Sequence, residues 1–335
     1  MHYVVLGAGA IGCHVGGLLA HAGARVSLVG RPRAVEALRE HGLRITDLDG
    51  LEAQVPPERL HAVSTLAEVP QDRTHPGVIL LCVKGGATMD AAREVAAVFP
   101  PRTAVISLQN GVENVGRIRA AAPDLEAIAG MVPFNVTQPA PWHAHRATAG
   151  VIRLARTSLT ESIAREFAAA GLPLKLERNM HAVQWGKLLL NLNNPINALS
   201  DLPLRDELLD RDYRRVLAAL IDEALVALRA AGIAPAKVAA APPRLLPTIL
   251  RLPTWLFTRL AARMLKIDPT ARSSMWVDLQ AGRTTEIDDL CGAVVRLGEH
   301  HDVAVPANAA MQKLIEGYAP GTRRSGTELA AACGL

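Results

Sequence analysis

Lys187, Asn191 and Asn194 put one ammonium and two amides at helical spacing in an otherwise apolar run, Lys187-Leu-Leu-Leu-Asn191-Leu-Asn193-Asn194-Pro195. At about 100° per residue the three fall within an arc of roughly 60°, while Leu188 to Leu190 turn elsewhere into a core. Such a face is costly unless its groups have partners. Either they bond to one another and to backbone, or they line a polar cleft, and the cleft is the favoured reading. An ammonium can give a hydrogen bond or a proton to an oxygen gathering negative charge, and amides can hold the other oxygens of a small polar molecule. Pro195 lacks the N–H that would bond the Asn191 carbonyl, which frees an acceptor at the same place.

A second group lies in Ser273-Ser274-Met275-Trp276-Val277-Asp278-Leu279-Gln280-Ala281-Gly282-Arg283-Thr284-Thr285-Glu286-Ile287-Asp288. In one straight helix Ser274 and Glu286 would stand about 18 Å apart, too far to touch one small substrate. Gly282 followed by Thr284 reads as a helix break and a fresh N-cap. Glu286 then enters the first turn of a new helix, as a site carboxylate or as a partner of that helix's dipole. Lys84 and Asn110 each follow a predicted strand at its C-terminal end, the edge where open α/β sheets bind ligands. Gln109-Asn110-Gly111 is equally an ordinary turn sequence. His143 and His145 have metal-like spacing and His300 and His301 form a pair, but no carboxylate or thiol pattern completes a site. They read as surface histidines, and no metal is expected.

These side chains need a scaffold, and the start of the chain supplies one. Val4-Val5-Leu6-Gly7-Ala8-Gly9-Ala10-Ile11-Gly12 ends an apolar strand at residues 2–6 and opens a helical pattern at 11–22, with a second strand at 25–29. In that context Gly7 permits a tight turn, Gly9 lets a pyrophosphate approach bare backbone, and Gly12 lets the helix pack on the strand. The backbone from Gly7 through Ala8, Gly9, Ala10 and Ile11 to Gly12 is therefore a dinucleotide-binding candidate, its phosphates on a helix N-terminus. An NAD site would place Asp or Glu after the second strand for the ribose. This strand ends in Gly30-Arg31-Pro32-Arg33 with no acid before Glu36. Arg31, with Arg33 as second candidate, points instead to the 2′-phosphate of NADP, unless both are ordinary surface charges.

Strand-like runs at 78–83, 104–108, 127–132 and 151–155 alternate with helical patterns at 88–99, 112–121 and 159–170, which predicts a parallel α/β sheet. Beyond residue 178 helical periods take over, at 182–198, 212–231 and most of 272–299. We therefore expect an NADP-binding Rossmann-type domain over residues 1–177 and an all-helical substrate domain over 178–335, with the active site in the cleft between them. Residues 234–253 read as a loop or broken helix, and the tail after Pro320 as frayed at its end.

With 335 residues, 50% hydrophobic and 20% charged, the chain is globular, and only 3% aromatic residues argue against a base-stacking platform. Its net charge of +4 is spread along the sequence, which suits anionic ligands rather than nucleic acid. Cys13, Cys82, Cys291 and Cys333 show no CxxC spacing, and a reducing cytoplasm fits them. The apolar stretch 245–265 is interrupted by Arg251, Pro253, Arg259 and Arg263, so it is no membrane span. The helical domain is large enough to supply a homodimer surface, and the oligomeric state stays open.

In order along the chain, these motifs resemble the ketopantoate reductase family (2-dehydropantoate 2-reductase) over nearly its whole length. The family's GxGxxG matches Gly7, Gly9 and Gly12; its cofactor-phosphate arginine matches Arg31, and its lysine after a later strand matches Lys84 in Cys-Val-Lys-Gly. Its glutamine-asparagine-glycine turn matches Gln109-Asn110-Gly111. The catalytic lysine and the asparagine one turn later match Lys187 and Asn191, and the SSM…TEID stretch matches Ser274 and Glu286. One position departs: many members carry a second asparagine eight residues after the lysine and before proline, whereas here Pro195 takes that offset and the asparagine is Asn194. The chain is also longer than compact members around residues 205–270.

The resemblance implies NADPH-dependent reduction of 2-dehydropantoate, a 2-oxo acid, to (R)-pantoate on the route to pantothenate and coenzyme A. Hydride arriving at a ketone carbon leaves charge on its oxygen, and Lys187 is the candidate proton donor. Glu286 would hold the substrate hydroxyl and bias the protonation of Lys187. Asn191, Asn194 and Ser274 would bind carboxylate and hydroxyl groups, and Asn110 would bridge nicotinamide and substrate. A reductase of another 2-oxo acid and a non-catalytic NADP-binding sensor are the rival readings.

Overall fold

The structure is a computed structural model, and it describes residues 1–70, 77–238, 241–262 and 270–335. The chain divides into two compact units, Met1–Met180 and His181–Leu335.

Among the described residues of the first unit twelve strands are formed: β1 His2–Leu6, β2 Arg25–Val29, β3 Leu43–Asp47, β4 Glu52–Val55, β5 His61–Val63, β6 Val78–Leu81, β7 Ala104–Ser107, β8 Glu126–Met131, β9 Val136–Ala140, β10 His143–Arg146, β11 Ile152–Ala155 and β12 Leu174–Glu177. Its helices are α1 Ala10–His21, α2 Pro32–His41, α3 Thr88–Val98, α4 Asn114–Ala121 and α5 Ser158–Ala169. Eight strands make one sheet in the order β12-β11-β8-β7-β6-β1-β2-β5. All neighbours are parallel except β8 and β11. The chain starts in the middle at β1, runs outward through β2 to β5, then crosses back to β6 on the other side. That reversal beside β1 is the switch point at which doubly wound sheets bind ligands.

The central strands read as continuous apolar runs because both sheet faces are covered. Tyr3 and Val5 of β1 join one core with Leu28, Leu80, Ile106 and residues of α1, α2 and α5. Val4 and Leu6 join the other, with Ile79, Leu81, Val105 and residues of α3 and α4. The parallel α/β sheet that the sequence predicts is present, with β8 and β11 its one antiparallel pair, and the unit also holds a second sheet, in the order β4-β3-β10-β9, that the apolar runs do not mark. Its strands are short and polar on one side. It packs on α1 at Gly17, where a Cβ would come within 2.7 Å of Leu43 Cδ2 and 2.8 Å of Ile45 Cδ1. His143 and His145 sit on its β10, half-buried and each 2.8 Å from Thr46 Oγ1, so they are cross-strand hydrogen-bonding groups rather than free surface histidines.

The second unit is helical: α6 Met180–Asn191 (whose first residue closes the first unit), α7 Asn193–Ser200, α8 Leu204–Leu209, α9 Arg211–Ala230, α10 Leu246–Arg251, α11 Thr254–Leu260, α12 Ser274–Gln280, α13 Ala293–His300, α14 Pro306–Glu316 and α15 Gly326–Ala332. The single helix expected at 182–198 is two, parted at Leu192, because Pro195 can neither donate to the Asn191 carbonyl nor fit against it. The tail is not frayed. Ser325 and Glu328 form a capping box for α15, which buries Leu329 completely.

Within 205–270, Arg214 explains how a polar stretch folds. Its guanidinium is fully buried, donates to the carbonyls of Leu208, Leu209, Leu250 and Leu252, and lies 4.3 Å over the Phe257 ring. These carbonyls end α8 and α10, so the cation satisfies orphan acceptors at the negative ends of two helix dipoles. Residues 239–240 and 263–269, on which parts of the loop and membrane-span expectations fall, lie outside the described residues. No described helix is long and apolar enough to cross a membrane.

Candidate active site

At the C-terminal end of β1 the glycine turn is held from both sides. Gly7, at φ +114°, and Ala8 donate to the Val29 carbonyl at 2.9 and 3.0 Å, and a Cβ on Gly7 would press within 2.8 Å of backbone at Cys82 and Val83. Gly12 backs directly onto the Gly7 carbonyl, where no side chain fits. Gly9 is different: it is exposed, caps α1, and has nothing within 4 Å of where its Cβ would stand. Open space over bare backbone at a helix N-terminus, whose first N–H groups lack intrahelical partners, fits an approaching pyrophosphate. Gly30 packs against Ala8, with only 2.7 Å between their Cβ positions, so Arg31, exposed at the cap of α2, follows the turn's own contact on β2.

Lys84 and Asn110 come to the same sheet edge on the other side. Lys84 is exposed three residues beyond Leu81, the end of β6, and Asn110 is half-buried beyond β7, the next strand. Their loops are tied by a buried network that sequence reasoning missed. Gln109 Nε2 donates to the Val83 carbonyl at 2.9 Å and to Thr88 Oγ1 at 2.8 Å, and Ser107 Oγ donates to Gln109 Oε1 at 2.9 Å. Thr88 Oγ1 in turn donates to Asn114 Oδ1, whose Nδ2 donates to the Asn110 carbonyl at 2.6 Å. Gln109 is therefore more than a turn residue: its amide spans two loops because it is buried among their backbones. The one available signal was four polar residues in segments flanking apolar strands.

In the second unit, every residue from 182 to 200 is buried except Lys187, Leu190, Asn191 and Asn194. The three polar groups share the accessible face as their spacing predicts, across the break at Leu192. Gly186 precedes Lys187 because the Ala236 carbonyl fills the space a Cβ would need, and Ala236 donates to the Ala182 carbonyl at 2.8 Å. This strut fixes α6 beside the lysine. Burial pushes the Lys187 ammonium down to about 8, and the Glu286 carboxylate opposes that shift by favouring the charged form.

Asn194, Ser274 and Glu286 line one narrow pocket with Met275, Asp278 and Leu290. The break at Gly282 is present, with φ +62° and the Arg283 N–H returning to the Asp278 carbonyl at 2.8 Å. The N-cap position of the turn that follows is Ile287 rather than Thr284. Glu286 stands just before a π-helical turn at Asp288–Gly292 that runs into α13, and its carbonyl accepts from the Asp289 N–H at 3.1 Å. The extra residue per turn, invisible in the spacing, belongs to the element that carries Leu290 on the pocket wall. Asp278 is occupied by Arg283 Nε at 3.1 Å. Among the described residues no cluster of three or more His, Cys, Asp or Glu could hold a metal ion.

A Rossmann-type sheet with a glycine turn at its switch point, followed by a helical unit bearing a lysine poised near neutral pH, defines the nicotinamide-dependent oxidoreductase class. Residues 3–158 match the family described as ketopantoate reductase PanE/ApbA, and residues 179–319 match its C-terminal region. A PanE/ApbA family ketopantoate reductase from Ralstonia eutropha JMP134 superposes with a TM-score of 0.79 at 31% identity, covering 94% of this chain and 97% of that one. The 2-dehydropantoate 2-reductase of Pyrococcus horikoshii is 28% identical over 94% of this chain and 97% of its own length. D-mandelate dehydrogenase with NADH and anilino(oxo)acetate shares the fold, with a TM-score of 0.77 at 20% identity over 94% of this chain and 97% of that one. The chain belongs to the ketopantoate reductase family.

Proposed function

We propose that this protein is an NADPH-dependent 2-dehydropantoate 2-reductase that makes (R)-pantoate for pantothenate and coenzyme A. The observation that carries the reading is Lys187, whose ammonium burial lowers to about 8 against the opposing Glu286 carboxylate, on a face whose neighbours suit a hydroxy-oxo acid. The family match and the names of the relatives support the same substrate. Residues 1–177 form the cofactor domain and 178–335 the substrate domain. The backbone of Gly7 to Gly12 holds the pyrophosphate, Arg31 the 2′-phosphate, and Lys84 and Asn110 the nicotinamide half. When bound, the reduced nicotinamide supplies hydride to the ketone carbon. Lys187 Nζ gives a proton to the ketone oxygen as that oxygen gains negative charge, and regains one from solvent afterwards. Glu286 accepts from the substrate hydroxyl and keeps Lys187 charged, while Asn191, Asn194 and Ser274 hold the remaining oxygens.

Purified protein is expected to oxidise NADPH when ketopantoate is added. Turnover of a different 2-oxo acid alone would move the assignment to a sister reductase, and NADPH binding without turnover of any 2-oxo acid would reduce the protein to a sensor. Arg31→Ala should raise the KM for NADPH about tenfold or more while leaving that for NADH within twofold, since a charge-assisted contact to phosphate is worth about 1.5–3 kcal/mol. Equal effects on the two cofactors would contradict the phosphate contact. Glu286→Gln removes the carboxylate that favours charged Lys187, so the alkaline limb of kcat/KM should move to lower pH; an unmoved limb would separate the two residues.

A further inference from the structure

Glu207 of α8 is a carboxyl with no cation: it is 1% exposed, and no ion pair reaches it among the described residues. Its Oε2 accepts from Asn197 Nδ2 at 2.8 Å, and the side chain of Asn193 is the other group within its hydrogen-bonding reach. Glu207 Oε1 and Asn193 Oδ1 are both buried oxygens without a donor. An ionised carboxylate can only accept, whereas a proton on the acid turns one of its oxygens into a donor.

The same cluster leads to the pocket. Asn197, fully buried, also donates to the Leu202 carbonyl at 2.9 Å, and its Oδ1 accepts from the Ser273 N–H at 2.8 Å. Ser273 Oγ donates to the Asn194 carbonyl at 3.2 Å and accepts from the Trp276 N–H at 3.1 Å, which caps α12. Ser273 is thus the joint between α7 and α12: it fixes where α12 starts, and so where Ser274 stands, and it grips the backbone of Asn194. Ser274 and Asn194 are the two pocket residues on either side of that joint.

We propose that Glu207 is a positioning residue of the substrate site, carried in the fold as a neutral acid that holds Asn194 and Ser274 in place through Asn197 and Ser273. Burial pushes its carboxyl up to about 8, in keeping with a proton retained at neutral pH. The role rests on the reading of Asn194 and Ser274 as substrate-binding residues. Glutamine keeps an uncharged acceptor for Asn197, whereas alanine leaves Asn197 Nδ2 without that partner.

The test uses the full-length protein and Glu207→Gln and Glu207→Ala, with kcat and KM for ketopantoate, and NADPH affinity by nicotinamide fluorescence. Glu207→Gln should stay within about twofold of wild type in all three. Glu207→Ala should raise the KM for ketopantoate about tenfold or more, with NADPH affinity within twofold. If that variant does not fold, Glu207→Asp, which withdraws the carboxyl by one methylene, takes its place with the same expected KM. Without substrate, infrared difference spectra at pH 7 between wild type and Glu207→Gln should show the carbonyl stretch of one protonated acid. An unchanged KM in the alanine or aspartate variant, a glutamine variant as impaired as alanine, or no acid band overturns the proposal. A wild-type protein that turns over no 2-oxo acid overturns both the functional reading and the positioning role, whereas turnover with an insensitive Glu207 overturns the role alone.

Discussion

Lys187→Ala is expected to lose about 10²–10⁴ in kcat for ketopantoate while binding NADPH as wild type does, because a positioned general acid supplies about that much acceleration, or about 3–5 kcal/mol of barrier. Removing the ammonium takes a neighbouring cation from the Glu286 carboxylate, so fluorescence titration with NADPH and a melting curve provide the control for the fold. The pH dependence follows in sign from the ammonium's value of about 8. Reduction needs Lys187 protonated, so kcat/KM should be flat below that value and fall about tenfold per pH unit above it. The reverse oxidation needs the neutral amine as proton acceptor and should rise through the same range. Full activity in Lys187→Ala, or a reduction rate that climbs above pH 8, would remove the proton-donor role.

The second large effect is at the glycine turn, where two substitutions of identical chemistry should diverge. Gly12→Ala drives a methyl into the Gly7 carbonyl and brings it within 3.0 Å of Val5 Cγ1, and both neighbours are locked in β1 and its turn. Overpacking of this kind is worth about 1–3 kcal/mol or more, so a lowered melting temperature and loss of NADPH binding are expected together. Gly9→Ala meets nothing within 4 Å and its backbone is extended, so the protein should melt as wild type. Its methyl would instead occupy space needed by the pyrophosphate, and NADPH affinity should fall at least tenfold with the fold intact. A Gly9→Ala protein that binds NADPH normally would place the phosphates elsewhere.

Much of the first unit is legible in the sequence. The four apolar runs after the first two strands all became strands within a few residues of their expected ends, because strands covered on both faces are continuously apolar. The four-stranded sheet escaped notice because β9 and β10, Val-Thr-Gln-Pro-Ala and His-Ala-His-Arg, bury only one face and carry polar groups on the other. In the second unit the break before Pro195 is half-legible: the missing N–H is plain in the sequence, while the apolar period runs on through it. The π-turn at Asp288–Gly292 left no trace in the spacing, since its apolar residues satisfy either period.

Local chemistry decided what the order of residues could settle alone. The glycine turn depends on where a Cβ is tolerated, the shared face of Lys187, Asn191 and Asn194 on the angle per residue, and the absence of an acid after β2 on nothing but the residues there. Tertiary structure decided what depends on surroundings. Asn194, Ser274 and Glu286 meet because α7, α12 and the turn after Gly282 fold onto one another. The protonation of Lys187 and Glu207 is set by the removal of water around them, and a side chain's access to water is a property of everything packed against it rather than of its neighbours in the chain.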